Sequence, residues 1–187
     1  TATLDISPPL SAGTYFWSIT AKNGAGLLSA PKISDGIMVD ATPPGSPEGV
    51  LVNGVPVNSP NRWNYARQYN ISWTGPSDAA GIAGARVKLG GAQPAGNREG
   101  IFFAGSNAVD YPTPDIVNGG NPVWLWLEDN AGNAAPGSAI PVMLFYDDIR
   151  PASTAISAEF SKTNTVSVSF ASSDEGAPDT GSGVKQT

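Results

Sequence analysis

Cysteine and histidine are both absent from the 187-residue sequence. Without them there is no disulfide framework, no thiolate metal site, no Cys–His or Ser–His pair and none of the usual zinc sites. Carboxylate, Lys, Tyr and Ser chemistry is what remains. Charge is sparse: 14% of residues are charged, and 10 Lys+Arg against 16 Asp+Glu leave a net charge of −6 with no basic cluster. The counterion release that drives nucleic-acid binding therefore has no source, and nucleic acid is not an expected partner. No apolar run is long enough to span a bilayer, so no membrane insertion is expected within this stretch. Thr1 stands without a Met, a basic n-region or an apolar h-region, so the expectation is a fragment or processed form of something longer.

What the sequence has in quantity is Gly, 22 residues, and Pro, 17. Both punctuate strands and sit badly inside helices, and no long helical period is present, so the class is all-β. The organising stretch is Val123 to Asn133. Val123, Leu125 and Leu127 alternate with Trp124, Trp126 and Glu128, and Asp129-Asn130-Ala131-Gly132-Asn133 then ends the strand in a polar turn. A weaker copy runs from Trp17 to Gly26, with Ala25-Gly26 standing 106 residues before Ala131-Gly132. Trp17, Ile19 and Ala21 then fall on Val123, Leu125 and Leu127. A repeat of that length implies units of about 100 residues, each burying its own core.

The joints repeat too. Asp40-Ala41-Thr42-Pro43-Pro44 recurs as Asp147-Asp148-Ile149-Arg150-Pro151, with Pro44 and Pro151 107 residues apart. Proline fixes an extended path and cannot donate to a ladder, so each reads as a short stiff linker. The expected organisation is therefore 1–43 as the C-terminal strands of a partial module, 44–148 as a complete module, and 149–187 as the N-terminal strands of a further partial one.

In the first segment, residues 14–21 read as a strand with Tyr15, Trp17, Ile19 and Ala21 inward, and residues 33–39 as its return. In the complete unit, Val52-Asn53-Gly54-Val55 reads as a hairpin turn, with Pro56 confining it to an edge. Tyr69, Ile71 and Trp73 form an inward face. Arg86 and Lys88 point outward from a strand over residues 85–89, and residues 90–100 form a loop. Residues 101–104 form a short strand, residues 110–122 a long connection, and residues 140–146 the closing strand. After the second joint Val166, Val168 and Phe170 alternate again, and Ser173-Asp174 with Gly183-Val184 echoes Ser77-Asp78 with Gly81-Ile82.

These features resemble the fibronectin type III and bacterial Ig-like repeats of large secreted proteins. The likeness lies in the run from Tyr15 to Ala21, the Asp129 to Asn133 turn, the Ser-Asp…Gly-Ile break after the Trp73 strand, and the Asp…Pro joints. Two features depart from the pattern: the approach Tyr111-Pro112-Thr113-Pro114 with Asn121-Pro122, and the aromatic outer face at Trp124 and Trp126. The resemblance implies tandem Ig-like, fibronectin III-like β-sandwich modules of seven strands in two sheets, the outer two incomplete, serving as spacer, adhesive module or accessory to a secreted enzyme.

Three candidate sites follow. Trp124 and Trp126 share the outer face, beside the strand of Arg86 and Lys88. Either the two cations stack on the indoles, or the indoles form an exposed platform for a sugar ring or a neighbouring subunit. The carboxylates of the joints, Asp40, Asp147 and Asp148, are candidates for calcium, joined by Asp78, Asp129 or Asp174, although each also suits a turn. Asn70-Ile71-Ser72 fits the glycosylation pattern inside an expected strand, where a chance match is the simpler reading.

The expected function is a non-catalytic, extracellular or cell-surface structural or adhesive repeat region: a spacer, an adhesin or a surface-filament component. Its expected partners are neighbouring modules or copies of the same protein, and glycans in the competing reading, a carbohydrate-binding accessory region of a secreted glycoside hydrolase or protease. Strand complementation between copies is a further option, although the two outer segments together fall short of one repeat.

Overall fold

The computed structural model describes residues 9–60, 62–157, 159, 160, 162 and 164–174. In the first segment the strands are β1 (Gly13–Tyr15), β2 (Ser18–Ile19), β3 (Lys32–Ile33) and β4 (Ile37–Val39). β1 pairs antiparallel with β4 and β2 with β3, so the expected outgoing and returning strands are present, each broken into two short pieces. The inward face expected of Tyr15, Trp17, Ile19 and Ala21 is not buried: Ile19 is 70% exposed and Ile33 72%. No second sheet covers this hairpin among the described residues.

The middle unit holds β5 (Leu51–Val52), β6 (Val55–Pro56), β7 (Trp63–Asn64), β8 (Gln68–Ser72), β9 (Ile82–Leu89), β10 (Ile101–Ala104), β11 (Ala108–Pro112), β12 (Gly119–Asp129) and β13 (Ile140–Tyr146). One sheet runs β11-β8-β5-β6 and the other β10-β9-β12-β13-β7. Period-two alternation assigns the faces. Val52, Tyr69, Ile71, Val109 and Tyr111 from the first sheet meet Val87, Val123, Leu125, Leu127, Val142 and Leu144 from the second in one buried cluster. Two sheets enclosing one core are compatible with a β-sandwich.

Local chemistry explains the turns. Asn53 and Gly54 take positive φ, 51° and 76°, as a two-residue hairpin of matching twist requires. Pro56 then sits on β6, an outer strand of its sheet, as expected.

A second expectation fails. Residues 110–122 are not a long connection, because β11 extends to Pro112 and β12 begins at Gly119. The prolines hide these strands without breaking them. Pro112 ends β11, an outer strand where a missing N–H costs no ladder bond. Pro122 accepts the Gly90 N–H at its carbonyl, so its own nitrogen faces the side where β9 has just ended. Asn121, buried, closes the short turn by accepting from Val117 N and donating to the Val117 and Gly119 carbonyls.

Beyond the second joint, β14 (Ala152–Ser157) pairs antiparallel with β15 (Val168–Ser173). β15 is the strand expected around Val168 and Phe170. Ile156 and Phe170 are 72% and 74% exposed. The echo at Gly183-Val184 lies outside the described residues.

Candidate metal centre

The polar turn after β12 is a set of short hydrogen bonds made by its own side chains. Asp129, 1% exposed, accepts at Oδ1 from the backbone N–H of Ala131 and of Asn133, each at 2.8 Å. Gly132 takes φ 86°, which only glycine adopts without strain. Asn130 donates from its side chain to the Ala80 carbonyl at 2.8 Å, and its backbone N–H donates to the Gly81 carbonyl. That ties the turn to the loop between β8 and β9. Asn133 donates to Asp129 Oδ2 and to the Asp40 carbonyl, tying the same turn to the linker.

Three carboxylates meet at this end of the unit. Asp78 caps its own loop, accepting the Ala80 N–H at Oδ1 (2.9 Å), and Asp40 caps the linker, accepting the Thr42 N–H at 2.9 Å. One oxygen each of Asp40, Asp78 and Asp129 lies within 4.8 Å of the others. Among the described residues none of the three forms an ion pair. Asp40 Oδ2 is sealed from solvent and has no hydrogen-bond partner. An oxygen-only, all-acidic set of this kind is what a hard divalent cation takes.

The sequence expectation grouped Asp40 with Asp147 and Asp148, and the structure separates them. β13 runs antiparallel to β12, so its C-terminal end, where Asp147 follows, lies at the opposite pole from Asp129. A seven-residue strand puts roughly 20 Å between the poles. Asp147 is buried at 8% exposure and accepts the Ile149 N–H at 3.0 Å, which is the Asp40 linker turn repeated. Asp148 accepts from the Tyr146 hydroxyl (2.7 Å) and Asn118, with Arg67 at 4.0 Å. Those bonds, Tyr146 first, hold its carboxyl below the usual carboxylate range. Asp174 is not in the cluster. What decides membership is strand direction: the β8–β9 loop and the β12–β13 turn share a pole because Asp129 pairs with Ile82, at the start of β9.

The tryptophan platform is also corrected. Trp124 pairs with Lys88 and Trp126 with Arg86, the neighbours expected, and both indoles lie on the outer face. Yet Trp126 is fully buried and Trp124 half-buried. The loop 90–100 covers that face: a side-chain carbon at Gly100 would stand 3.0 Å from the Trp126 ring. Arg86 and Lys88 hold the loop down instead of stacking on the indoles. Lys88 pairs with Glu99 at 2.6 Å, Arg86 donates to the Arg98 carbonyl, and Glu99 accepts from Ala95 and Gly96 N–H groups. The Arg86 guanidinium pairs with Glu128 and lies over the Phe102 ring. Asn70, in β8, donates to Asp110 Oδ1.

A three-carboxylate pole and an outer face closed by a tethered loop are thus the two built features of the middle unit. No family model, no curated protein and no solved structure matches the chain.

Proposed function

We propose that this chain is a run of tandem Ig-like, fibronectin III-like sandwiches, the outer two incomplete, within a non-catalytic extracellular or cell-surface structural protein: a spacer, an adhesin or a filament component. One observation carries the reading. The turn at Asn23 repeats the backbone N–H bonds of the turn at Asp129, 106 residues later. Asn23 Oδ1 accepts from Ala25 N and Leu27 N, both at 3.0 Å, as Asp129 Oδ1 accepts from Ala131 N and Asn133 N. Gly26 and Gly132 take φ 87° and 86°, and the isolated bridges Lys22 with Leu28 and Glu128 with Ala134 flank the two turns.

The linker caps repeat as well, Asp40 to Thr42 and Asp147 to Ile149. Repeated units with repeated joints hold a fixed length and present fixed surfaces, with stability summed over units and their contacts. The partners in this reading are neighbouring modules and copies of the same protein.

Limited proteolysis of the full chain tests it. The reading expects a resistant, cooperatively unfolding fragment with ends near residues 40–44 and 148–152. Early cleavage between residues 51 and 146 would overturn it.

A further inference from the structure

We propose that residues 90–100 form a hinged strap, latched by Glu99 to Lys88, that lets go in acid as a unit of its own. Its release uncovers the tryptophan face of the second sheet while the sandwich beneath stays folded. The strap fills the gap between β9 and β10 and belongs to no strand. It begins at Gly90-Gly91 and ends at Gly100. Gly90 and Gly100 take φ 113° and 69°, and a side-chain carbon added at Gly90 or Gly91 would meet nothing within 4 Å. Both hinges thus stand on glycine, and the entry has open space to swing through.

What the strap covers is apolar, and what holds it is polar. Trp126, fully buried, and Trp124, half-buried, stand on the covered face, and Pro94 is the one strap residue that is itself buried. Glu99 carries most of the closure. Its Oε2 accepts from Lys88 Nζ at 2.6 Å, and its Oε1 accepts from the Ala95 and Gly96 N–H groups, each at 3.0 Å. One carboxylate therefore folds the strap on itself and pins it to β9. Arg86 adds a bond to the Arg98 carbonyl at 3.2 Å, and Gln93 a long one to the Pro136 carbonyl at 3.4 Å.

The latch is also the weak point. Once protonated, Glu99 loses its charge pairing with Lys88 and much of its pull on the two N–H groups. Those donors, Lys88 first and the Ala95 N–H next, hold its carboxyl below the usual value of 4.5. The latch is thus complete above that value and is lost as pH falls through the lower, folded one. No neighbouring charge replaces it. Lys88 and Arg86 on β9 and Arg98 in the strap are cations, and Glu128 on β12 is bound to Arg86. Asp115 lies across a cavity of about 190 Å³ whose wall also holds Lys88 and Gly100, and it is one more acid. Trp126 favours opening too. Its Nε1 is sealed from solvent with no hydrogen-bond partner, so water admitted under a raised strap supplies the bond that the closed state withholds. The core residues Val87, Leu125 and Leu127 face the other way and keep their packing when the strap leaves.

Fluorine NMR of the full chain carrying 5-fluorotryptophan reads the two sides separately. Trp126→Phe assigns the strap-side signal, and Trp73→Phe assigns that of Trp73, a core residue at 4% exposure. At neutral pH neither signal is expected to respond to exchange of H₂O for D₂O. At about pH 3, below the ordinary carboxylate range, the Trp126 signal moves and gains a solvent isotope shift while Trp73 does not, and neutralisation restores it. Glu99→Gln shows the acid form at neutral pH, with hydrogen exchange at Ala95 and Gly96 raised roughly tenfold or more. Lys88→Gln gives the same result and serves if Glu99→Gln does not fold. A Trp126 signal unmoved in acid, a Trp73 signal that moves with it, or both variants matching the unaltered chain at neutral pH would overturn the proposal. None of these results bears on the repeat reading, which the proteolysis decides.

Discussion

The side-chain amide of Asn133 donates to the backbone carbonyl of Asp40 at 3.0 Å, across 93 residues of sequence. The same amide nitrogen donates to Asp129 Oδ2 at 2.8 Å, so one group joins the linker, the turn and the acidic cluster. Asn133→Ala removes both bonds and is expected to cost about 1–2 kcal/mol. Urea unfolding measures that cost. Proteolysis within residues 40–44 should also quicken, because that segment loses its tie to the turn after β12.

Trp126 and Trp124 should behave differently although they are two residues apart on one strand. Trp126→Ala empties a fully buried site and is expected to cost about 3–5 kcal/mol. Trp126→Phe is expected to be mild, about 1 kcal/mol, because the buried Nε1 has no hydrogen-bond partner to lose. Trp124→Ala, half-buried, falls well below Trp126→Ala. Urea unfolding followed by circular dichroism ranks the three.

Arg86 and Glu128 form a pair whose side chains are 12% and 17% exposed. Truncating either one leaves a charge largely out of water, with an expected cost of about 3 kcal/mol, while the double truncation costs less than the sum of the singles. A double-mutant cycle in urea measures the coupling. Arg86→Ala should also loosen the loop 90–100 and raise hydrogen exchange there, because the Arg98 carbonyl loses its donor.

Alkaline pH should weaken the middle unit through Tyr69. Its hydroxyl donates to the Phe145 carbonyl at 2.8 Å, and burial first, then the neighbouring Tyr146, pushes its pKa up to about 12. The folded state thus favours the protonated phenol. That contribution is fully present below the unfolded value near 10 and is lost as pH climbs through about 12. Stability against urea should decline across that window. Tyr69→Phe should be less stable by about 1 kcal/mol at neutral pH and show a smaller alkaline decline.

Residue patterns decided some of these features and not others. The alternation of Val123, Leu125 and Leu127 suffices for a buried strand face, and Asn53-Gly54 for the hairpin, because both depend on contacts a few residues long. The repeated Asn23 and Asp129 turns are local in the same way. Burial of Trp126 depends on the loop 90–100 folding back over it, so its own strand pattern marks only that it faces outward. Prolines 112 and 122 obscured β11 and the start of β12, since proline is harmless only where the neighbouring strand offers no partner, a tertiary fact. The acidic cluster was half legible. Asp40, Asp78 and Asp129 all stand out as turn acids, but which of them meet follows from strand direction, and Asp147 and Asp148 were grouped with the wrong pole.

The central claim is that the middle unit folds around a core of its own while the hairpins on either side do not share it. Residue-resolved hydrogen exchange on the full chain tests this most directly. The account predicts one block of strongly protected amides in the paired strands from β5 to β13, all losing protection together with denaturant, and far faster exchange in β1 to β4, β14 and β15, whose apolar side chains lie open. Protection as high in the flanking hairpins as in β8, β9 and β12, lost in the same transition, would contradict it.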